Sequence, residues 1–408
     1  MATLPRPERL IVLLAALVAF SPLSIDTYLP SLPLIAADLG ASEARVQMTI
    51  GVFLIGLCLG MLFYGPLSDR FGRRPLLLGG MILYLVATVG CIQAGNVDQL
   101  IFWRFFQALG GAATSVLARA IVRDLFPLND AARVLSVMHI VTMVATLVAP
   151  LAGSFLMQVN GWRNIFVGLL VFAGLTLVAS AWRIKETHIS ESRELSVANA
   201  FGAYWSIATH PRALGYMLCM GLSFGGMFAF ITASPFVYVG YFGVSPQVYA
   251  WLFGVNIAGV ILATLLNARW VSRLGPLRML GLGAALAGLA GVGLIAAGIT
   301  GFGGLTSIVF CVILYVSVTG LMGANCVASL LALYPKQAGA AAGLAVAGQF
   351  AMGAGFSALV SAMADGSPFP MCGVIAIAGV GCLVCYLWIL KLTAVSLHTT
   401  TVSSTTGS

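Results

Sequence analysis

One carboxylate and one guanidinium lie where the sequence otherwise reads as hydrocarbon-soluble. Asp26 falls within the apolar run Leu10 to Leu34, which also carries Pro22, Pro30 and Pro33. A charged side chain at the centre of a bilayer helix costs about 2.5–3.5 kcal/mol even on insertion-based scales, and such residues face a bundle interior or a watery cavity. Asp26 therefore reads as a functional group, and Arg104 as its partner. Arg104 lies about 5 residues inside the run that begins near Gln99, or about 8 Å at the helical rise, and Asp26 lies about 8 residues, or about 12 Å, from the same surface on an antiparallel span. At similar depth the two charges compensate, and protonating or substrate-loading one releases the other. Burial and Arg104 act on the carboxyl in opposite senses, and the sequence leaves that balance open. The alternative for Arg104 is a side chain snorkelling to the interface.

Three further constellations accompany the pair. Arg104, Gln107, Gly111 and Ser115 recur at spacings of three and four, which places a polar stripe on one helix face. The segment 65–75, GPLSDRFGRRP, packs Gly65, Asp69, Arg70, Gly72 and Arg73 into a short polar turn, where glycines permit tight backbone and Asp69 can meet a helix N-terminus. A plain basic topology anchor is the other reading, and it accounts for the arginines but not for Asp69 or the glycines. In Ala149-Pro150-Leu151-Ala152-Gly153, Pro150 removes the hydrogen bond to the carbonyl of Thr146, so a hinge, or a merely structural kink, is expected there. Arg119 and His139 read as relay or packing groups.

The elements that must position these residues are membrane spans. Of 408 residues 60% are apolar and only 8% charged, against about 25% charged in soluble domains. Counting apolar runs of about 20 residues gives twelve spans: 9–34, 44–67, 75–95, 99–123, 132–158, 162–184, 212–240, 247–271, 278–299, 303–331, 339–363 and 370–392. The polar stretch 185–211 divides them into six and six. The expected organisation is therefore an N-terminal bundle over 1–184, a cytoplasmic linker over 185–211, a C-terminal bundle over 212–395 and a disordered tail over 396–408. Placing both termini in the cytoplasm collects nearly all Lys and Arg on the inside, with Arg45 and Arg163 outside, as the positive-inside rule requires.

The net charge of +8 is spread between apolar runs in short clusters, which reads as topology signal and not as a nucleic-acid footprint. All eight cysteines fall within apolar runs without metal-ligand spacing, and read as packing residues. Arg6 and Arg9 precede a first run that is too long for a signal peptide and lacks a small-residue cleavage site, so it is taken as a span. Trp270-Val271-Ser272-Arg273-Leu274-Gly275 echoes the 65–74 loop half a chain later, which suggests two related halves around a midplane cavity.

The loop GPLSDRFGRRP resembles the signature between helices two and three of the major facilitator superfamily. WRFFQALGG at 103–111 resembles its helix-four R-x-x-Q-G motif with the glycine displaced, and Ala149 to Gly153 resembles the antiporter motif of helix five with Ala149 and Ser154 replacing two glycines. PLSIDTYLPSLP at 22–33, SFGGMFAF at 223–230 and SPFVY at 234–238 are similar to the bicyclomycin-resistance (Bcr/CflA) branch of drug:proton antiporters, over the chain to about Lys391. The resemblance implies an all-α protein of two six-helix bundles in a bacterial inner membrane. It implies a conformational latch at Gly65, Asp69, Arg70, Gly72 and Arg73. Spans one, four, seven and ten would line the cavity, nominating Tyr28, Gln107, Met227, Phe228, Phe230, Met322 and Asn325, each of which could equally be packing.

The expected function is proton-coupled efflux of small amphipathic drugs, neutral or singly charged, because one compensated Asp does not comfortably desolvate a multiply charged ligand. Partners are then a small-molecule drug, protons and the lipid bilayer, with no nucleic acid, cofactor or metal, and one chain can form a complete transporter as a monomer. The alternative is proton-linked transport of a metabolite such as an amino acid. Enzyme activity is disfavoured because no span places a nucleophile, base or ligand set at useful spacing, and an ATP-driven pump because the chain lacks a G-x-x-x-x-G-K-(S/T) loop.

Overall fold

The computed structural model describes residues 7–187 and 197–405. Among them the chain is helical, without strands, and twelve helices are long and apolar enough to cross a membrane. They are α1 (Glu8–Asp38), α2 (Glu43–Phe71), α3 (Arg73–Gln93), α4 (Val97–Leu125), α5 (Leu128–Asn160), α6 (Arg163–Arg183), α7 (Pro211–Tyr241), α8 (Pro246–Leu274), α9 (Pro276–Thr300), α10 (Gly304–Leu333), α11 (Ala338–Ala362) and α12 (Phe369–Thr405). Each coincides with one apolar run of the sequence. The polar stretch between α6 and α7 holds a further helix, Val197–Ala208, that the sequence reading left unassigned. The last helix continues to Thr405 where composition predicts a disordered tail, because extending an established helix needs no new nucleus.

The chain divides into two compact units. The first takes residues up to Val197 together with Ile231–Ile257 and Ser357–Ser367, and the second takes Ala198–Phe230, Ala258–Phe356 and Pro368–Ser408. In the first unit the ends of α7, α8 and α11 nearest the α1–α2 turn thus group with α1–α6. Thr232 and Ser357 share a hydrogen bond of 2.8 Å there, and Ser154 on α5 donates to the carbonyl of Pro246 at 3.4 Å. Lipid offers helices no hydrophobic driving force, so such contacts and small residues hold the bundle. Gly56 and Gly60 of α2 admit Ala108 and Ala112 of α4, and Gly110 of α4 lies against the backbone of Tyr84 on α3. In the second unit α9 packs likewise, with Gly291 against Ala376 of α12 and Gly283 against Met322 of α10.

The helix α1 is not continuous. A first segment, Pro7–Val18, gives way to Phe20–Asp26, then to a single tight turn at Leu29–Ser31 and a last segment at Leu32–Asp38. Pro22, Pro30 and Pro33 lack the backbone donors that a regular helix would use there. The interruption places irregular backbone inside the bundle, where side chains can satisfy it. The helix α7 ends in a wide π-helical stretch, Pro235–Tyr241, which begins at Pro235.

Candidate functional site

The break in α1 determines where the two intramembrane charges go. At its onset the Tyr28 N–H bonds the carbonyl of Ile25 at 3.2 Å, which leaves the carbonyl of Ser24 without that donor. Arg104 Nη1 fills the vacancy, donating to Ser24 O at 3.0 Å and to Gln107 Oε1 at 2.7 Å. Gln107 Nε2 passes the network to Thr88 Oγ1 at 2.8 Å, and the Ser24 hydroxyl meets Tyr84 OH at 2.6 Å. The guanidinium lies 4.2 Å from the ring centre of Phe53, 4.6 Å from Tyr28 and 5.9 Å from Phe166. Arg104 is fully buried, and its Nε and Nη2 carry no hydrogen bond, so aromatic faces supply much of its stabilisation.

Asp26 turns elsewhere. It is buried, and its carboxylate accepts the hydroxyl of Thr146 on α5. The ion pairs among the described residues are Arg45–Asp98, Asp69–Arg73–Asp124 and Asp38–Arg163, so the expected pairing of Asp26 with Arg104 is corrected. The reason is azimuth. Ser24 and Tyr28 are four residues apart and face α4 together, whereas Asp26, two residues from each, projects from the opposite side. Depth alone brought the charges together in the sequence reading.

The surroundings of Asp26 come from α5 and α8. Pro150 supplies no N–H to the Thr146 carbonyl, yet α5 remains helical through it. Gly153 lies so close to α1 that a Cβ would collide with the carbonyl oxygen of Thr27. Tyr249 of α8, fully buried and hydrogen-bonded to Ser234 at 3.1 Å, stands within electrostatic reach of the carboxylate. Asp26 is thus a carboxyl held by a hydroxyl without a cation on it. Gain or loss of a proton there changes the local charge by a full unit.

The expected turn over 65–75 is corrected, because Gly65 to Phe71 continue α2 and only Gly72 breaks the chain before α3, and this junction is tied more tightly than its sequence indicates. Arg73 Nη1 lies 2.6 Å from Asp69 and also meets Ser68, while Nε donates to Asp124 of α4 at 3.0 Å. Gly72 adopts φ +94°, and its lack of a side chain leaves room for the carboxylate of Glu186, which would lie 2.6 Å from a Cβ. That carboxylate accepts the backbone N–H of Arg73 at 2.9 Å and of Arg74 at 3.2 Å, capping α3 with a negative charge. Arg74 Nη2 reaches the carbonyl of Ala181 at 2.9 Å, Arg70 lies over Phe71, and Gly65 accepts the Ser68 hydroxyl at 2.8 Å. Ser68, Asp124 and Glu186 were not nominated from sequence. The last two are carboxylates at the ends of the fourth and sixth runs, beside the side where the loop must lie, and that was the available signal.

A buried carboxyl in a broken helix, a caged arginine on α4 and a glycine-arginine junction capped by an acid are joined by one comparison of the whole chain. The sequence profile of the Major Facilitator Superfamily matches residues 14–358. The chain belongs to that superfamily. Among its relatives is a bicyclomycin resistance protein homolog of Haemophilus influenzae, 34% identical over 365 residues that cover 88% of this chain and 91% of that protein. A chloramphenicol resistance protein of Pseudomonas aeruginosa is 32% identical, over 68% of this chain and 66% of that protein. Solved structures of a D-xylose-proton symporter (TM-score 0.71, 18% identity, 93% of this chain and 97% of that one) and of the nucleoside transporter NupG (TM-score 0.75, 13% identity, 94% and 98%) share the fold.

Within this superfamily member most residues nominated for a substrate cavity are engaged in packing. Tyr28 is fully buried, with its hydroxyl 3.1 Å from Thr49, and Gln107 is spent on Arg104 and Thr88. In the second unit Phe228 stacks with Phe224 at 4.7 Å, Phe230 is buried, and Met322 fills the space beside Gly283. Asn325 donates to Asn267 of α8 at 2.8 Å, which satisfies a buried amide between two helices. Met227 is half-buried, and its sulfur accepts from Thr319. By contrast Arg119 and His139, read as relay or packing groups, are both exposed.

Proposed function

We propose that this transporter exports small amphipathic drugs in exchange for protons, with Asp26 as the proton-carrying group and Arg104 as the fixed cation that organises the break in α1. The observation that carries the reading is the Asp26 carboxyl, buried against Thr146 with no cation on it. A site of that kind responds to protonation with a change in the packing of α1 against α5. The names of the Haemophilus and Pseudomonas relatives, bicyclomycin and chloramphenicol resistance, favour drugs as cargo. The positive-inside distribution favours both termini in the cytoplasm, in the inner membrane of a bacterium. On this reading two six-helix bundles, joined by the 185–211 linker, act as one monomeric unit by alternating access, and the Asp69–Arg73–Asp124–Glu186 cluster latches the cytoplasmic ends.

Accumulation of chloramphenicol in energised everted vesicles tests the reading. It should exceed that of vesicles lacking the protein, and it should fall to their level when an ionophore collapses the proton gradient. Accumulation that survives the ionophore contradicts proton coupling, and none in either condition contradicts export of this drug.

A further inference from the structure

Two exposed basic side chains continue the polar interior of the first unit toward the Gly72 end. On α4, Arg119 follows Ser115 by four residues, extending the Arg104, Gln107, Gly111, Ser115 stripe by one turn, about 22 Å along the axis from Arg104. On α5, His139, Thr146 and Gly153 recur every seven residues. Further along that face Thr146 holds Asp26 and Gly153 abuts Thr27. Arg119 lies close enough to His139 for its charge to act on the imidazole. Arg104, Gln107 and Ser115 are buried on the same stripe, whereas Arg119 and His139 are exposed. An arginine and a histidine exposed on these stripes, with no carboxylate paired to either among the described residues, leave their hydrogen-bond donors open to a ligand.

Asp26 apart, every carboxylate in the six helices of this unit lies in a terminal turn. Between Asp26 and the inner terminal turns the charge that the polar face carries is thus positive. We propose that Arg119, with His139, binds the carboxylate or comparable oxyanion of an exported organic anion and bars permanent organic cations. A guanidinium offers a planar fork that fits two oxyanion atoms, and a second nitrogen donor from His139 fixes the orientation. A permanent cation meets like charge and no acceptor there, which is discrimination by repulsion. The proposal deepens the export reading and rests on it.

The test compares fusidate, a carboxylate, chloramphenicol, which is neutral, and tetraphenylphosphonium, a permanent cation, in energised everted vesicles carrying wild type, R119Q, R119K or H139Q at matched protein levels. Wild type should accumulate fusidate and chloramphenicol and leave the cation at the level of vesicles lacking the protein. The fusidate-to-chloramphenicol ratio should fall at least tenfold in R119Q and at least threefold in H139Q, and stay within about twofold in R119K. Chloramphenicol transport without fusidate transport, accumulation of the cation by wild type, or an unchanged ratio in R119Q overturns the proposal and leaves the export reading standing. If R119Q does not reach the membrane, an unchanged ratio in H139Q overturns it. Transport of none of the three compounds by wild type removes the export reading and the proposal together.

Discussion

Arg104 is held by one nitrogen and three aromatic rings, an arrangement that a point charge cannot copy. Its Nη1 bridges Ser24 O and Gln107 while its guanidinium carbon lies over the rings of Phe53 and Tyr28. Lysine brings an ammonium without a plane, so Arg104→Lys should lower drug accumulation at least tenfold at equal expression. Accumulation within twofold of wild type contradicts the clamp. Tyr84→Phe removes one neutral hydrogen bond to Ser24, whose hydroxyl retains the Phe20 carbonyl at 2.6 Å. It should cost about 1 kcal/mol in thermal unfolding and leave transport in place. That Asp26 and Arg104 would be buried inside the bundle was legible because charge is rare in these runs. The spacing matches their depths but says nothing of their azimuths, which differ. Ser24 and Tyr28, four apart, already marked the face of α1 turned toward the arginine.

The helices were legible almost to their ends, since each apolar run is long and bounded by Gly, Pro or charge. Pro22, Pro30 and Pro33 announced the interruption of α1. The helix Val197–Ala208 was missed because it is short, uncharged and set in a polar stretch, so neither length nor charge distinguished it. The cap of α3 by Glu186 was missed because its partner is more than a hundred residues earlier in the chain, a contact that only the packing of α6 on α3 creates. Glu186→Ala should reduce unfolding stability by about 0.5–2 kcal/mol, the range for losing a helix cap, and Glu186→Gln, which keeps one acceptor oxygen, should cost less. Equal losses in the two variants contradict the cap. Gly153→Val forces α5 away from the Thr27 carbonyl and from Asp26, and should abolish drug accumulation even where the protein reaches the membrane. Normal accumulation by that variant would show that the α1–α5 contact is dispensable.

At the scale of the molecule the acidic and basic chemistry is unevenly divided. Asp26, Arg104, Arg119 and His139 all lie in the first unit, and in the second the charged residues lie within a turn or two of the ends of the spanning segments, so the proposed coupling group lies in the first half of the chain. The second unit contributes an apolar interior in which Asn267 and Asn325 pair with each other. That division was visible in the sequence, whereas the grouping of Ile231–Ile257 and Ser357–Ser367 with the first unit was not, because apolar runs carry no record of which bundle their ends join. The most direct measurement is dye-reported lumen pH in everted vesicles with an acidified interior, on addition of chloramphenicol to wild type and Asp26→Asn. Drug-evoked alkalinisation in wild type that disappears in Asp26→Asn is the expected result. Alkalinisation of equal size in the variant would show that protons move through a different group and would contradict the account.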